Sequence, residues 1–169
     1  KEQVAQRLAA VQENNFVTGL NKSDIDKPYN VGYIAGVFDL FHIGHLNMFK
    51  RAKEQCRYLI VGVVSDEGVR LNKQAEPFVP FDERIEMVRS CKYVDEAIKL
   101  PLDFCGTRDM FKIYHFDVQF SGSDYEHDPA WLAEKEFLEK NGSTMVFFPY
   151  TQSTSSTKLK KAIENRINN

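Results

Sequence analysis

Three classes of protein are excluded by what this chain has little of. Its 169 residues include only three cysteines, Cys56, Cys91 and Cys105. An odd, scattered set without metal-type spacing argues against a disulfide framework or a zinc ribbon. No apolar run approaches the ~20 residues needed to span a bilayer, so no membrane insertion is expected. Lysine and arginine number 22 against 24 aspartates and glutamates, a net charge of -2. That balance gives no electrostatic case for binding nucleic acid. There is no visible secretory leader, internal repeat or low-complexity tract. With free thiols, this predicts a reduced, cytoplasmic setting. What remains is a chain long enough to bury one good core.

The pattern that is present alternates between strand and helix. Val31 to Ala35 reads as a buried strand, and Leu46 to Lys53 has helical spacing. Tyr58 to Val64 is a continuous apolar run, as expected of a strand covered on both faces. Helix is predicted from Phe81 to Lys92, strand near Glu96 to Lys99, helix from Phe104 to His115, and strand from Asp117 to Ser121. Pro129 to Asn141 reads as a helix stopped by Gly142, followed by a strand from Ser143 to Phe148 and a helix from Thr157 to Ile167. Helices between strands imply an α/β fold, a doubly wound parallel sheet with helices on both faces. Residues 1–28 stand apart. Val4, Leu8 and Val11 share one helical face, and Asn21 to Pro28 is turn-rich and reads as a linker. The second unit is then residues 29–169.

Ligands of such folds bind beyond the carboxyl ends of the strands. His42, His45, Ser65, Gly122 and the stretch from Ser153 onward all follow predicted strands, so they converge on one site. The most informative segment is Gly36-Val37-Phe38-Asp39-Leu40-Phe41-His42-Ile43-Gly44-His45, at the first strand-to-helix junction. A helix start offers free N–H groups and a positive dipole end. Two imidazoles beside it make a donor set for phosphate, and Gly44 lets a ligand approach the backbone. Zinc is the rival chemistry for His-x-x-His, but no cysteine or glutamate cluster accompanies the pair. The second segment is Thr151-Gln152-Ser153-Thr154-Ser155-Ser156-Thr157. Hydroxyls between a strand and a helix cap the helix or donate to phosphate oxygens.

The first segment resembles the HxGH nucleotidyltransferase superfamily, most closely its cytidylyltransferase branch, and the likeness runs from Tyr29 to Ile167. It implies a Rossmann-like fold and a nucleotide site formed by Gly36, Val37, Phe38, His42, Gly44, His45, Gly122, Asp124, Thr151, Ser155, Ser156 and Thr157. His42, His45 and Lys73 become the catalytic candidates, Lys73 from a loop after the second strand. Asp39, Lys73 and Arg84 fall on the substrate side. Asp39 is expected to orient the first loop, since its carboxylate would repel a triphosphate, and Arg84 to hold the acceptor's phosphate. Where the superfamily has Arg-Thr-Glu-Gly, this chain has Tyr150-Thr151-Gln152-Ser153, so a cationic phosphate contact is missing.

The activity implied by the resemblance is transfer of CMP from CTP to a small phosphorylated alcohol, with glycerol 3-phosphate leading. Mg²⁺ would arrive on the triphosphate, no protein metal site is implied, and a homodimer is expected. Phosphocholine and phosphoethanolamine are alternative acceptors. An adenylyltransferase on a sugar phosphate shares the same mechanism. A class I aminoacyl-tRNA synthetase fragment matches His-x-Gly-His, but the chain has no Lys-Met-Ser-Lys-Ser-like loop. A non-catalytic nucleotide-binding domain would explain the missing arginine.

Overall fold

The computed structural model describes residues 6, 26–100, 102, 106–149, 151 and 154–168. The expected first helix falls outside the described residues except Gln6. So do most of the linker, the expected helix start at Phe104, and Tyr150, Gln152 and Ser153.

Five strands form one sheet: β1 (Tyr29–Gly36), β2 (Cys56–Val64), β3 (Glu96–Leu100), β4 (Val118–Gly122) and β5 (Thr144–Phe148). Their order is β3-β2-β1-β4-β5, and all neighbours are parallel. Tyr33 of β1 pairs with Ile60 of β2 and with Gln119 of β4, so β1 is central. The helices are α1 (Ile43–Gln55), α2 (Asp66–Lys73), α3 (Phe81–Arg89), α4 (Thr107–Tyr114), α5 (Pro129–Lys140) and α6 (Ser156–Ile167).

The period-two alternation of side chains divides the core into two. On one face, Ile34, Leu59, Val61 and Phe120 pack with Phe49 and Ala52 of α1 and with Ile85 and Val88 of α3. On the other face, Tyr33, Tyr58, Ile60 and Met145 pack with Met110 of α4 and Leu138 of α5. The α/β, Rossmann-like reading of the sequence therefore holds. Strand order reverses between β1 and β4, which opens a crevice at their carboxyl ends.

Local chemistry sets the element ends. Asp128 accepts the Ala130 N–H at 2.8 Å and Pro129 follows at the first helical position, which starts α5. Gly142 adopts φ 79°, where a side chain would be strained, and ends it. α3 stops at Arg89, short of the expected Lys92, because the Cys91 N–H bonds back to Val88 and the chain turns toward β3. One expectation is corrected: Lys73 is not on a loop but is the last residue of α2. Ser65 accepts the Gly68 N–H at 3.1 Å and caps α2, with Asp66 and Glu67 in the first turn and Arg70 and Lys73 in the last. Gln74 closes it in the left-handed region at φ 51°.

Candidate active site

A cleft of about 290 Å³ lies at the carboxyl ends of β1 and β4. It is lined by His42, Gly44 and His45 from the first loop, Lys73 from the end of α2, and Gly122 and Asp124 after β4. Thr151, Ser156 and Thr157 come from the final connection and α6. Residues more than a hundred positions apart in sequence thus share one cavity.

The two histidines are organised by the helix they begin. His42 is the N-cap of α1 and His45 its third residue, and each takes a backbone proton at Nδ1. The Gly44 N–H donates to His42 Nδ1 at 3.0 Å, and the His42 N–H donates to His45 Nδ1 at 3.3 Å. A neutral imidazole that accepts at Nδ1 carries its proton on Nε2. The rings stack at 3.9 Å between centroids, with 29° between their planes. Burial lowers the pKa of both. His45 falls to about 3, pushed by desolvation and then by the neighbouring His42, against a smaller opposing pull from Asp39. The pair therefore enters the site as two neutral Nε2–H donors rather than two cations. Gly44 is required between them, since a Cβ there would sit 2.7 Å from His42 Cε1.

Asp39 fixes this loop from below. It is 3% exposed and lies between Phe38 and Leu40, whose φ values of 55° and 50° are uncommon for residues with side chains. Its carboxylate accepts the N–H groups of Phe78 and Val79, both at 3.0 Å, and pairs with Lys160 Nζ at 2.9 Å. Burial would raise its pKa, but Phe78, Lys160 and Val79 together hold it below the usual range. Asp39 orients the loop, as the sequence suggested, and does not line the cleft.

Arg84 departs from expectation. It is 1% exposed, and its guanidinium donates to the carbonyls of Val79, Val37 and Val64 and to Asp66 Oδ1 at 2.6 Å. These partners occupy the fork that was expected to hold an acceptor phosphate, and Arg84 lies outside the cleft lining. Its role is to clamp the ends of β1 and β2. Gly36, Val37, Phe38 and Ser155 also lie beneath the cleft wall rather than in it. Val37 lends its carbonyl to Arg84, Phe38 packs under the His45 ring, and Ser155 spends its hydroxyl capping α6 through the Lys158 N–H.

The lining also contains Thr154, from the hydroxyl-rich segment, and Met48, Arg51, Tyr125, Phe148 and Pro149, which sequence reasoning passed over. Met48 and Arg51 were accessible to it. They follow Gly44 at four and seven residues, the spacing of one helical face. Arg51 Nη1 donates to the Pro149 carbonyl at 3.0 Å, joining α1 to the final connection. The cleft therefore offers two imidazole N–H donors, two long cations and several hydroxyls, with Asp124 its single lining carboxylate among the described residues. That composition suits a polyanion.

Comparison with known proteins agrees with this geometry. The model of the cytidylyltransferase-like family matches residues 33–162. A FAD synthase from Thermococcus kodakarensis is 37% identical over 139 residues, covering 79% of this chain and 89% of that protein. An ethanolamine-phosphate cytidylyltransferase from Dictyostelium discoideum is 41% identical over 138 residues, 80% of this chain but only 38% of that protein. The glycerol-3-phosphate cytidylyltransferase of Bacillus subtilis is 32% identical over 128 residues, covering 76% of this chain and 92% of that protein. A lipopolysaccharide core biosynthesis protein from Thermoplasma volcanium superposes with a TM-score of 0.60 at 25% identity, over 75% of this chain and 99% of that one. A pantoate-beta-alanine ligase from Francisella tularensis shares the fold alone, at 14% identity and a TM-score of 0.57 over 91% of this chain and 75% of that one. Sheet order, paired histidines and family match coincide on the same residues, and the chain belongs to the cytidylyltransferase-like family of the nucleotidyltransferase superfamily.

Proposed function

We propose that this protein transfers CMP from CTP to the phosphate of a small phosphorylated alcohol, with glycerol 3-phosphate the leading acceptor. The carrying observation is the pair of Nε2–H donors in a cleft that also holds Lys73 and Arg51. An acceptor phosphate oxygen attacks the α-phosphorus of the nucleotide. The new P–O bond forms as the bond to the β-phosphate breaks, and pyrophosphate leaves with the electron pair. The attacking phosphate is already anionic, so no protein nucleophile is needed. Catalysis is then positioning and charge stabilisation.

In this reading His42 and His45 donate to the α-phosphate and to the bridging oxygen as it gains charge. Being neutral beforehand, they gain most from the charge that develops. Lys73, Arg51, the Thr157 hydroxyl and the first N–H groups of α6 hold the departing phosphates. Asp124 would meet the nucleotide's ribose hydroxyls. Mg²⁺ fits as an ion carried by the triphosphate. Among the described residues Asp124 is the one carboxylate lining the cleft, and with it on the ribose the ion's ligands would be phosphate oxygens and water. Bound there, it would supply charge neutralisation.

Glycerol 3-phosphate leads because the Bacillus subtilis relative matches along 92% of its own length. A second reading, AMP transfer from ATP, is favoured by the FAD synthase relative and implies flavin mononucleotide as acceptor. We also propose a homodimer that places the half-exposed Ile43, beside the first motif, at its interface. The test is pyrophosphate release with Mg²⁺, crossing CTP and ATP against glycerol 3-phosphate, phosphocholine, phosphoethanolamine, a heptose 1-phosphate and flavin mononucleotide. Turnover with CTP and glycerol 3-phosphate alone is the expected result. Turnover with ATP alone overturns the choice of nucleotide. Tight CTP binding with no turnover throughout favours a non-catalytic domain.

A further inference from the structure

α6 supplies Ser156 and Thr157 to the cleft, yet it buries none of its own residues. Most helices are held by an apolar face packed on a core. Here the inward face carries Ser156, Lys160 and Ile163, at spacings of four and three residues, and each is only half-buried. Two polar ties run from that face to one residue. Ser156 Oγ donates to the Asp39 carbonyl at 2.9 Å, and Lys160 Nζ pairs with Asp39 Oδ2 at 2.9 Å. Lys160 also lies over the Phe78 ring, 5.4 Å from its centroid.

Asp39 is where the pieces of the site meet. It sits in the histidine loop, accepts from Phe78 and Val79 in the segment after Lys73, and receives α6 through Lys160 and Ser156. The two left-handed residues flanking it persist only if their surroundings over-determine them. Lys160 supplies the positive charge on that buried carboxylate. The Ser156 tie to the Asp39 carbonyl is a neutral hydrogen bond, so the ion pair is the charged half of this junction.

We propose that Lys160 is a positioning residue. Its ion pair with Asp39 latches α6 against the histidine loop and so sets the Thr157 hydroxyl and the first N–H groups of α6 at the distance the nucleotide's phosphates require. Lys160 lies outside the cleft lining, so it acts through Asp39. The kinetic consequence rests on the nucleotidyl-transfer reading above. The structural consequence does not.

Hydrogen exchange of the α6 amides, in nucleotide-free wild type, Lys160→Met and Lys160→Arg, tests the latch directly. The KM for CTP and kcat with glycerol 3-phosphate supply the second readout. In Lys160→Met, α6 exchange accelerates about tenfold while β1 and β2 stay protected, and the KM for CTP rises about tenfold with a smaller fall in kcat. Lys160→Arg restores both. In an Asp39→Asn background, Lys160→Met adds nothing further. Unchanged α6 exchange in Lys160→Met overturns the latch, as does a defect that arginine fails to rescue. If no acceptor supports turnover, the function reading fails while the exchange result still judges the latch.

Discussion

The backbone N–H of His42 donates to Nδ1 of His45 at 3.3 Å, while His42 itself caps the same helix through Nδ1 and the Gly44 N–H. Each imidazole thus does two jobs from two nitrogens. Nδ1 holds the helix start, which leaves Nε2–H for a ligand. Asparagine is a good N-cap but has no donor at the Nε2 position. His42→Asn is therefore expected to keep folding stability within about 1 kcal/mol of wild type and to lose about 10²–10³ in kcat. Urea denaturation beside pyrophosphate release checks both. Near-wild-type turnover in a folded His45→Ala protein would sink the assignment of the pair.

The same burial makes the protein acid-sensitive in a particular window. His45 has a pKa of about 3 in the fold, against its ordinary value of 6.5, and His42 is lowered too. Between those values the unfolded chain binds more protons, so stability falls as pH drops below 6.5. Asp39 and Asp66, held below their usual carboxylate range, add their own loss only near and below the ordinary carboxylate value of 3.8. Denaturation between about pH 5 and 6.5 isolates the histidines. His45→Gln should flatten the slope there, and an unaltered slope would contradict the buried neutral state.

Arg84 gives a prediction that separates clamp from ligand. Arg84→Met strands Asp66 and three carbonyls that it now satisfies. Loss of about 3 kcal/mol or more is expected, as when one partner of a buried pair is removed. A phosphate-binding role predicts the opposite pattern, a raised acceptor KM at unchanged stability.

Arg51 stands where a cation meets the cleft without being buried beneath it. Arg51→Met should weaken CTP binding about tenfold or more, the loss of one charge-assisted hydrogen bond, with folding changed little. Titration calorimetry with CTP measures this. An unchanged Kd would leave Lys73 as the principal phosphate cation.

Gly44→Ala tests how tightly the histidine loop is drawn. The added methyl would meet His42 Cε1 at 2.7 Å, so the ring must swing from its cap and its stack. The protein should fold, and turnover should fall at least as far as in His42→Asn. Full activity would mean that the loop relaxes without moving the imidazole.

The sequence by itself determined the five strands, the parallel sheet and the histidine pair. Those features are written in local periodicity and in residues ten or fewer positions apart, such as Gly36 through His45. It also brought His42, His45, Gly122 and the stretch after Ser153 to one crevice, because strands of a parallel sheet deliver their carboxyl ends to one edge, while the resemblance added Lys73 and Asp124; Ser65, expected there too, is spent on capping α2. It put Lys73 on a loop although Ser65 and the acidic first turn of α2 were legible signals. The tertiary structure decided which polar groups face the ligand and which are spent on the fold. Arg84 and Ser155 sit beside the site in sequence, yet their donors and acceptors are taken by Val37, Val64, Asp66 and Lys158. A buried polar group must be satisfied by whatever the fold brings within about 3 Å. Those partners lie up to 47 positions away for Arg84, and 121 positions separate Asp39 from the Lys160 that holds it. No local pattern encodes such pairings, because they exist only once the sheet has brought its loops together.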